Sequence, residues 1–308
     1  MIQANNLTKY YGHQTAIQNV SFQVDQGEIL GFLGPNGAGK TTTMRILTAY
    51  MPPSDGTATV GGYDVFHNSL EVRKRVGYLP ESVPLYKDMA VWDYLDFVAA
   101  LRKIDNRAKR VGDALEKVDL GDQSNILIGK LSKGLRQRVG IAQAIVHDPE
   151  VLILDEPTIG LDPKQIIEVR KLIKDLGGEH TVILSTHILS EVEQICSRVL
   201  IINKGQIVAE DTPTGLASRL EGGERIRFKA LAPPPDAIET LQSLPEVKQT
   251  CLIEPGVFEL ECTIEIDCRP AIAQLVVERG WGLLELYAVS VSLEDIFLEL
   301  TEDHEVKS

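Results

Sequence analysis

The sequence predicts an α/β fold with a parallel sheet, followed by a smaller second domain. Short apolar segments of strand length alternate with stretches of helical periodicity, which is the pattern of buried parallel strands joined by helices. These segments are residues 29–33, 76–79, 151–154, 182–184 and 199–202. A chain of 308 residues with 44% hydrophobic residues is long enough to build two cores.

Two further patterns belong to the first domain. Residues 2–24 show polar alternation, and residues 56–63 form a strand with a tight turn, which together indicate an antiparallel β subdomain beside the parallel sheet. Between about residues 85 and 146 the apolar spacing becomes helical, so a helical insert interrupts the core. Residues 206–209 complete a hairpin after the turn at 203–205.

The C-terminal part follows a different order. A boundary is expected at residues 213–224, where a short helix is followed by Glu-Gly-Gly-Glu. Strands are expected at 225–231, 247–253, 257–263 and 283–289, and helices at 235–244, 269–279 and, closing the chain, 293–300. This βαββαβ order is typical of a small α+β (ferredoxin-like) domain and contains no catalytic constellation. We therefore expect domains at 1–220 and 225–308.

Composition limits the partners and the compartment. The 31 Lys and Arg residues against 44 Asp and Glu residues give a net charge of −13, which repels nucleic acid, so no nucleic-acid partner is expected. The apolar runs are too short to span a bilayer and the N-terminus lacks a signal sequence, so we expect a cytosolic chain. Cys196, Cys251, Cys262 and Cys268 have no Cys-x-x-Cys spacing, which predicts reduced, packed thiols.

A glycine-rich loop follows the first parallel strand. Its sequence Gly-Pro-Asn-Gly-Ala-Gly-Lys-Thr is followed by a helical stretch, so backbone N–H groups and a helix N-terminus converge where a polyphosphate can bind. Lys40 is expected to reach the β and γ phosphates, and Thr41 to bind Mg²⁺. The predicted nucleotide contacts are Gly34, Pro35, Asn36, Gly37, Ala38, Gly39, Lys40, Thr41 and Thr42.

Two adjacent acids end a later strand. Asp155 and Glu156 follow the apolar residues 151–154, at the strand end where open α/β sheets bind ligands. We expect Asp155 to hold Mg²⁺ through water and Glu156 to orient or deprotonate the attacking water. An exposed acidic turn is the alternative.

In residues 1 to about 220 these motifs resemble the ATP-binding subunits of ABC transporters, which have a P-loop NTPase (RecA-like) core. The segment Leu-Ser-Lys-Gly-Leu at 131–135 occupies the place of the family signature LSGGQ. In that family the signature of one subunit contacts the γ phosphate held by the other. The resemblance therefore implies roles for Ser132 and Gly134, and the alternative for Ser132, a plain helix N-cap, is compatible with its role in the signature.

The resemblance implies three further site residues. Asp162 matches the loop that lies along the subunit boundary, and His187 matches the histidine that contacts the γ phosphate. Tyr11, followed by Gly12, matches the aromatic residue that stacks on adenine, with an ordinary strand residue as the alternative.

Two positions depart from the family pattern. Glu81 stands where the family usually has a glutamine that contacts Mg²⁺, so we expect Glu81 to be a metal contact with an added negative charge. Lys133 and Leu135 replace the usual Gly and Gln of the signature. Both changes resemble the exporter branch whose subunits end in a small C-terminal domain, with a closing sequence similar to residues 291–297.

The resemblance implies a mechanism that one chain cannot complete. Two chains, most simply a homodimer, would close around two Mg-ATP molecules and drive integral-membrane permease subunits from the cytoplasmic face of the membrane. Residues 81–88 are the expected transmitting segment, and Tyr86 and Trp92 the expected permease contacts, unless they are packing residues.

Two alternatives stay open at this point. One is a soluble ABC-type ATPase acting on nucleic acid or ribosomes, although the chain has neither paired ATPase units nor a long coiled coil. The other is a nucleotide-binding regulator with low turnover, suggested by the altered signature. A GTPase is disfavoured because Asn-Lys-Gly-Gln at 203–206 lacks the aspartate of a guanine-reading motif.

Overall fold

The computed structural model describes residues 1–220, 225–263 and 267–289. Internal contacts divide the chain into two units, Met1–Pro213 and Thr214–Ser308. The domain limits expected from the sequence, 1–220 and 225–308, stay a prediction.

The first unit contains ten strands and seven complete α-helices among its described residues. The strands are β1 (Ile2–Tyr11), β2 (Gln14–Val24), β3 (Ile29–Leu33), β4 (Asp55–Val60), β5 (Tyr63–Asp64), β6 (Val76–Leu79), β7 (Val151–Asp155), β8 (Thr181–Thr186), β9 (Arg198–Asn203) and β10 (Gln206–Asp211). The helices are α1 (Lys40–Leu47), α2 (Ser69–Arg75), α3 (Val91–Leu101), α4 (Arg107–Lys117), α5 (Lys133–Ile145), α6 (Pro163–Gly177) and α7 (Leu189–Ile195). Helix α8 (Pro213–Leu220) begins at the last residue of this unit.

A six-stranded sheet forms the centre of the first unit, and its α/β character confirms the predicted fold class. The strand order is β10-β9-β3-β8-β7-β6, and every neighbouring pair is parallel except the edge hairpin of β9 and β10. All five residues of β7 are buried, because helices cover both faces of a parallel sheet. The C-terminal ends of β3, β7 and β8 lie side by side, so the loops after these strands meet at one edge.

The predicted antiparallel subdomain is a four-stranded sheet with the order β2-β1-β4-β5. It shares one hydrophobic core with the parallel sheet, in which the rings of Phe22 on β2 and Phe32 on β3 lie 5.6 Å apart. The β1–β2 hairpin therefore lies on the same side of the sheet as the loop after β3. Gly205 links the two, because its carbonyl oxygen accepts from Gln18 N–H and its own N–H donates to Ala38 O.

The helical insert consists of α3, α4 and the first part of α5. Helix α3 buries Val91, Tyr94, Leu95 and Ala99, which follow the helical spacing seen in the sequence. The hydroxyl of Tyr94 donates a hydrogen bond to Gln143 on α5 (2.5 Å), which ties the insert to the helix that returns to β7.

The second unit has the predicted βαββαβ order over its described residues. Its elements are β11 (Arg225–Ala230), α9 (Ala237–Gln242), β12 (Val247–Glu254), β13 (Val257–Cys262), α10 (Arg269–Glu278) and β14 (Leu283–Val289). The antiparallel sheet has the order β12-β13-β11-β14, which is the ferredoxin-like arrangement. Phe228 and Phe258 stack in its core with ring centroids 5.0 Å apart. The closing helix expected at 293–300 lies outside the described residues.

The prediction of reduced thiols is wrong for two of the four cysteines. Cys262 at the end of β13 and Cys268 before α10 form a disulfide, because the fold brings the strand end and the helix start together across a separation of six residues. Cys196 is a buried free thiol, as expected, whereas Cys251 is free but exposed on β12. Among the helices that the structure describes, none combines the length and the apolar character needed to cross a membrane.

Candidate nucleotide-binding and hydrolysis site

The loop after β3 wraps around the ammonium group of Lys40. This Nζ atom donates hydrogen bonds to the carbonyl oxygens of Gly34 (2.7 Å) and Pro35 (3.2 Å), and only 6% of the Lys40 residue is exposed. Gly39 is the N-cap of α1 and has no side chain that could accept from the first helical N–H groups. The loop therefore presents backbone donors, a helix N-terminus and one buried cation to the same space.

Two glycines of the loop are required by close backbone approach. Gly39 has a φ of 108°, and a Cβ atom there would lie 2.5 Å from Ile17 Cγ2 on β2. A Cβ atom on Gly34 would collide with the carbonyl oxygen of Ile202 on β9. The loop is thus pressed between the antiparallel subdomain and the parallel sheet, which fixes its shape before any ligand binds.

A cavity of about 450 Å³ opens above this loop. It brings together predicted residues from four separate parts of the sequence, which are Tyr11, Asn36, Gly37, Gly39, Lys40, Thr41, Thr42, Glu81 and Glu156. Tyr11 is 46% exposed at the end of β1, which leaves an aromatic face available at the cavity mouth. The size of the cavity suits a bound cofactor or substrate.

Asp155 ends β7 as a completely buried carboxylate. Its Oδ1 atom accepts from the Ser185 hydroxyl (2.8 Å), whereas Oδ2 has no hydrogen-bond partner within the described residues. Burial raises the pKa of Asp155, and the nearby hydroxyls of Ser185 and Thr41 oppose that rise. The negative charges of Glu156 and Glu81 raise it further.

These donors fit a magnesium ion that is shared with a nucleotide. An orphaned carboxylate oxygen beside the Thr41 hydroxyl supplies hard oxygen ligands, and Mg²⁺ usually takes few protein ligands and several from phosphate and water. In the described part of the chain, no three His, Cys, Asp or Glu side chains converge as a complete metal cage. Thr41, Asp155 and Glu81 are the residues that would hold the ion.

Glu156 is the residue on which the candidate catalytic groups converge. Its Oε1 atom lies 3.2 Å from Lys40 Nζ, within ion-pair distance although without hydrogen-bond geometry, and its Oε2 atom lies 2.8 Å from Nδ1 of His187. Its φ of 50° lies in the left-handed region, which costs conformational energy for a residue with a side chain. Its backbone N–H continues the sheet by donating to Ser185 O (2.9 Å), so the strained residue is held from β8.

Three predicted residues lie elsewhere in the same chain, at the starts of α5 and α6. Ser132 is the N-cap of α5, and its hydroxyl accepts from Leu135 N–H (3.2 Å). Asp162 is the N-cap of α6 and accepts from Gln165 N–H (2.9 Å). A Cβ atom on Gly134 would lie 2.5 Å from the amide carbon of the Gln165 side chain, so this glycine packs directly against the end of that side chain on α6. None of the three lines the cavity above the phosphate loop.

Sequence reasoning missed two groups of residues. Gln14, Thr15 and Ala16 line the cavity because the hairpin pairs Gln14 with Tyr11, a placement that the turn signal at Gly12 indicates. Glu191 on α7 is completely buried and accepts from the hydroxyls of Thr158 and Thr186. Nothing in the sequence separates Glu191 from the exposed acids of an ordinary helix.

Comparison with known proteins gives the family. The family model described as ABC transporter matches residues 17–159. The chain is 34% identical to the linearmycin resistance ATP-binding protein LnrL of Bacillus subtilis (strain 168), over 98% of each chain. It is 35% identical to the bacitracin transport ATP-binding protein BcrA of Bacillus licheniformis, over 97% of each.

Comparison with solved structures supports the same family. A solved structure titled as an ATP binding subunit of an ABC transporter superposes with a TM-score of 0.65 at 28% identity, covering 71% of this chain and 92% of that one. The chain belongs to the ATP-binding subunits of ABC transporters and is an ATPase.

Proposed function

We propose that the cavity above the phosphate loop binds Mg-ATP and that Glu156 is the catalytic base of its hydrolysis. The observation that carries this proposal is the meeting of Lys40, Glu156 and His187 at the end of β7, within 3.2 Å of one another in successive pairs. A buried cation, a carboxylate and an imidazole in this order can bind a γ phosphate and direct a water molecule toward it.

Each residue has a distinct role in this proposal. Lys40 and the loop N–H groups hold the β and γ phosphates, while Glu156 accepts a proton from the attacking water. His187 fixes the Glu156 carboxylate through its Nδ1 atom and contacts the γ phosphate. When bound, Mg²⁺ would neutralise phosphate charge, and Thr41, Asp155 and Glu81 are the residues that would hold it. Tyr11 stacks on adenine.

The second part of the proposal is that two copies of the chain complete the sites. Ser132, Gly134 and Asp162 lie at adjacent helix N-termini, outside the cavity of their own chain. A helix N-terminus is an anion-binding group. The N-terminus of α5, with Ser132 and Gly134, can therefore bind the γ phosphate held by a second copy in a homodimer with two-fold symmetry, and Asp162 then lies along the boundary between the two copies.

The third part is that a permease binds next to the helical insert. A groove of about 1030 Å³ is lined by apolar Tyr50, Leu70 and Leu101 together with basic Arg73, Arg102 and Lys103. A cytoplasmic permease segment with an apolar face and acidic side chains complements it.

The groove continues along α3 towards the predicted contact Tyr86. Leu101 and Phe97 are exposed and four residues apart on the same helix face, and the Tyr86 ring packs against Phe97 with centroids 5.9 Å apart. Trp92 is partly buried, with its backbone N–H donating to Ser124 O (2.8 Å). We therefore favour Tyr86 over Trp92 as a permease contact.

Relatives support export as the direction of transport. They include the daunorubicin resistance ATP-binding protein DrrA2 of Streptomyces coeruleorubidus, 33% identical over 97% of this chain, and the Nod factor export ATP-binding protein I of Burkholderia orbicola (strain AU 1054), 34% identical over 97%. The chain would act on the cytoplasmic face of a membrane through its permease, with residues 225–308 as an accessory domain.

The decisive experiment uses the full chain and the variant Glu156→Gln. Removal of the base should lower steady-state ATP hydrolysis by about a hundredfold or more while ATP still binds. Because unhydrolysed ATP keeps the closed state populated, this variant should run as a dimer with Mg-ATP and as a monomer with Mg-ADP.

Two controls accompany it. Lys40→Ala should lose ATP binding and the ATP-dependent dimer together, whereas Glu116→Gln, an exposed acid on α4, should behave as the wild type. Normal turnover of Glu156→Gln would contradict the catalytic assignment. A monomer at saturating ATP would contradict the shared site.

A further inference from the structure

Glu191 is a buried charged residue that the proposed mechanism does not use. Its side chain is completely inaccessible to solvent and has one cation near it, since Arg170 Nη2 lies 3.7 Å from Oε1. A buried carboxylate is expensive unless its oxygens are hydrogen-bonded. Both oxygens accept from buried hydroxyls, Oε1 from Thr158 and Oε2 from Thr186 (2.7 Å).

The two hydroxyls come from the two strand ends that carry the catalytic pair. Thr158 lies two residues after Glu156, and Thr186 is the residue immediately before His187. The Thr186 hydroxyl also accepts from Ile188 N–H (3.0 Å). The residues on either side of His187 are thus linked by a hydrogen bond to the Thr186 hydroxyl. The same hydroxyl donates to Glu191.

The positions of Glu156 and His187 need such support. Glu156 is held in a left-handed backbone conformation, which persists only when its surroundings enforce it. His187 has a side chain that is 38% exposed, so packing alone does not fix its ring. The 2.8 Å contact between them depends on the relative position of two strand ends, which are also joined by the bonds from Glu156 N–H to Ser185 O and from the Ser185 hydroxyl to Asp155 Oδ1.

We propose that Glu191 is a positioning residue that holds Glu156 and His187 at their working distance by binding Thr158 and Thr186 with one carboxylate. It does not touch the substrate. It acts through the backbone at the ends of β7 and β8, and through Thr158 it also fixes the start of the loop 159–162. This inference rests on the proposed roles of Glu156 and His187.

The test separates the hydroxyl bonds from general stability. Thr186→Val and Thr158→Val keep the side-chain shape and remove the donor, whereas Thr186→Ser and Thr158→Ser keep the donor. In the full chain, each valine variant and Glu191→Gln should lower kcat by about tenfold or more, because small misplacements of catalytic groups are costly. The KM for ATP and the nucleotide affinity should stay within about twofold, and the serine variants should keep kcat within about twofold.

A matched control is Val192→Ala on the same helix, where a completely buried side chain is truncated without touching either hydroxyl. It should lower the melting temperature while leaving kcat unchanged for the folded protein. The double variant Glu191→Gln, Thr186→Val should have a kcat only slightly below that of either single variant, because both changes break the same hydrogen-bond network.

Several outcomes would overturn the inference. Serine variants as slow as the valine variants, equal loss of kcat in Val192→Ala, or full activity of Glu191→Gln would each do so. If Glu191→Gln does not fold, the comparison of the valine with the serine variant at Thr186 and at Thr158 still tests the inference. Persistent turnover in Glu156→Gln and His187→Ala would instead show that the underlying site assignment is wrong, whatever the Glu191 variants do.

Discussion

At the scale of single residues, the site depends on polar groups that are buried without being fully satisfied. Asp155 Oδ2 has no partner among the described residues, and Glu156 Oε1 faces Lys40 without a hydrogen bond. Such carboxylate oxygens cost free energy when they are buried without a partner, and a bound cation or a donated hydrogen bond offsets that cost. The binding of Mg-ATP is therefore expected to stabilise the first unit.

Glu81 gives a prediction about metal dependence. It lines the cavity and its charge raises the pKa of Asp155, so the two carboxylates are close enough to interact electrostatically. Glu81→Gln removes one negative charge, and the Mg²⁺ concentration for half-maximal ATPase should rise about fivefold. The measurement is a Mg²⁺ titration at saturating ATP, with Glu116→Gln as the control. An unchanged titration would rule out a metal contact by Glu81.

Some residue placements were predictable from the sequence and others were not. The spacing of the phosphate loop and of the acids after the apolar run 151–154 predicted that Lys40, Asp155 and Glu156 lie together, because strand ends converge in parallel sheets. The packing of Gly134 against Gln165 and the hydroxyl contacts of Glu191 depend on tertiary neighbours. No local pattern records such neighbours.

At the scale of elements, the strands and helices follow the apolar periodicity closely. The sequence predicted strands at 225–231 and 283–289, and the structure has β11 at Arg225–Ala230 and β14 at Leu283–Val289. The cysteine pair was missed for a physical reason. Spacing along the chain does not reveal that the end of β13 and the start of α10 face each other.

His147, just beyond α5, predicts how stability depends on pH. Its Nε2 atom lies 3.1 Å from Val76 O at the start of β6, and burial, followed by the charge of Arg102, lowers the pKa of His147 from 6.5 to about 4. Between these values the unfolded chain binds a proton that the folded chain does not. Stability is therefore complete above the unfolded pKa and is lost as the pH falls towards 4.

This lowered pKa of His147 should change the free energy of unfolding by roughly 2 to 3 kcal/mol across the pH range. Glutamine can keep a polar group near the Nε2 position, which lies close to both Val76 O and Arg102 Nη1, and it does not titrate, so His147→Gln should flatten this part of the profile. Urea unfolding of both proteins at several pH values between neutrality and pH 4 measures the difference. If the free energy of unfolding falls equally in the wild type and in His147→Gln as the pH is lowered, His147 does not cause this pH dependence.

At the scale of the whole molecule, the proposed division of labour separates the nucleotide cavity from the permease groove. The cavity is built on the ends of β3 and β7, whereas the groove and Tyr86 involve α2 and α3. Changes in the groove should therefore affect coupling and leave ATP binding intact.

Leu101→Asp and Tyr86→Ala test this separation. Both variants should bind ATP with wild-type affinity, but the permease should no longer co-purify with the tagged chain from detergent-solubilised membranes, and Leu101→Asp should be the more severe because it adds a buried charge to the interface. Ile167→Ala, an equally exposed apolar position on α6, is the matched control. Full co-purification and transport by both groove variants would refute the proposed docking surface.

The position of β3 within the central sheet determines when the phosphate loop can form during synthesis. Strand β3 pairs with β8 and β9, whose residues Thr181–Thr186 and Arg198–Asn203 are made long after Ile29–Leu33. A nascent chain that has left the ribosome as far as the helical insert thus carries an unpaired apolar strand and an unformed ATP site. ATP therefore cannot assist the folding of this subunit before β8 and β9 have been made.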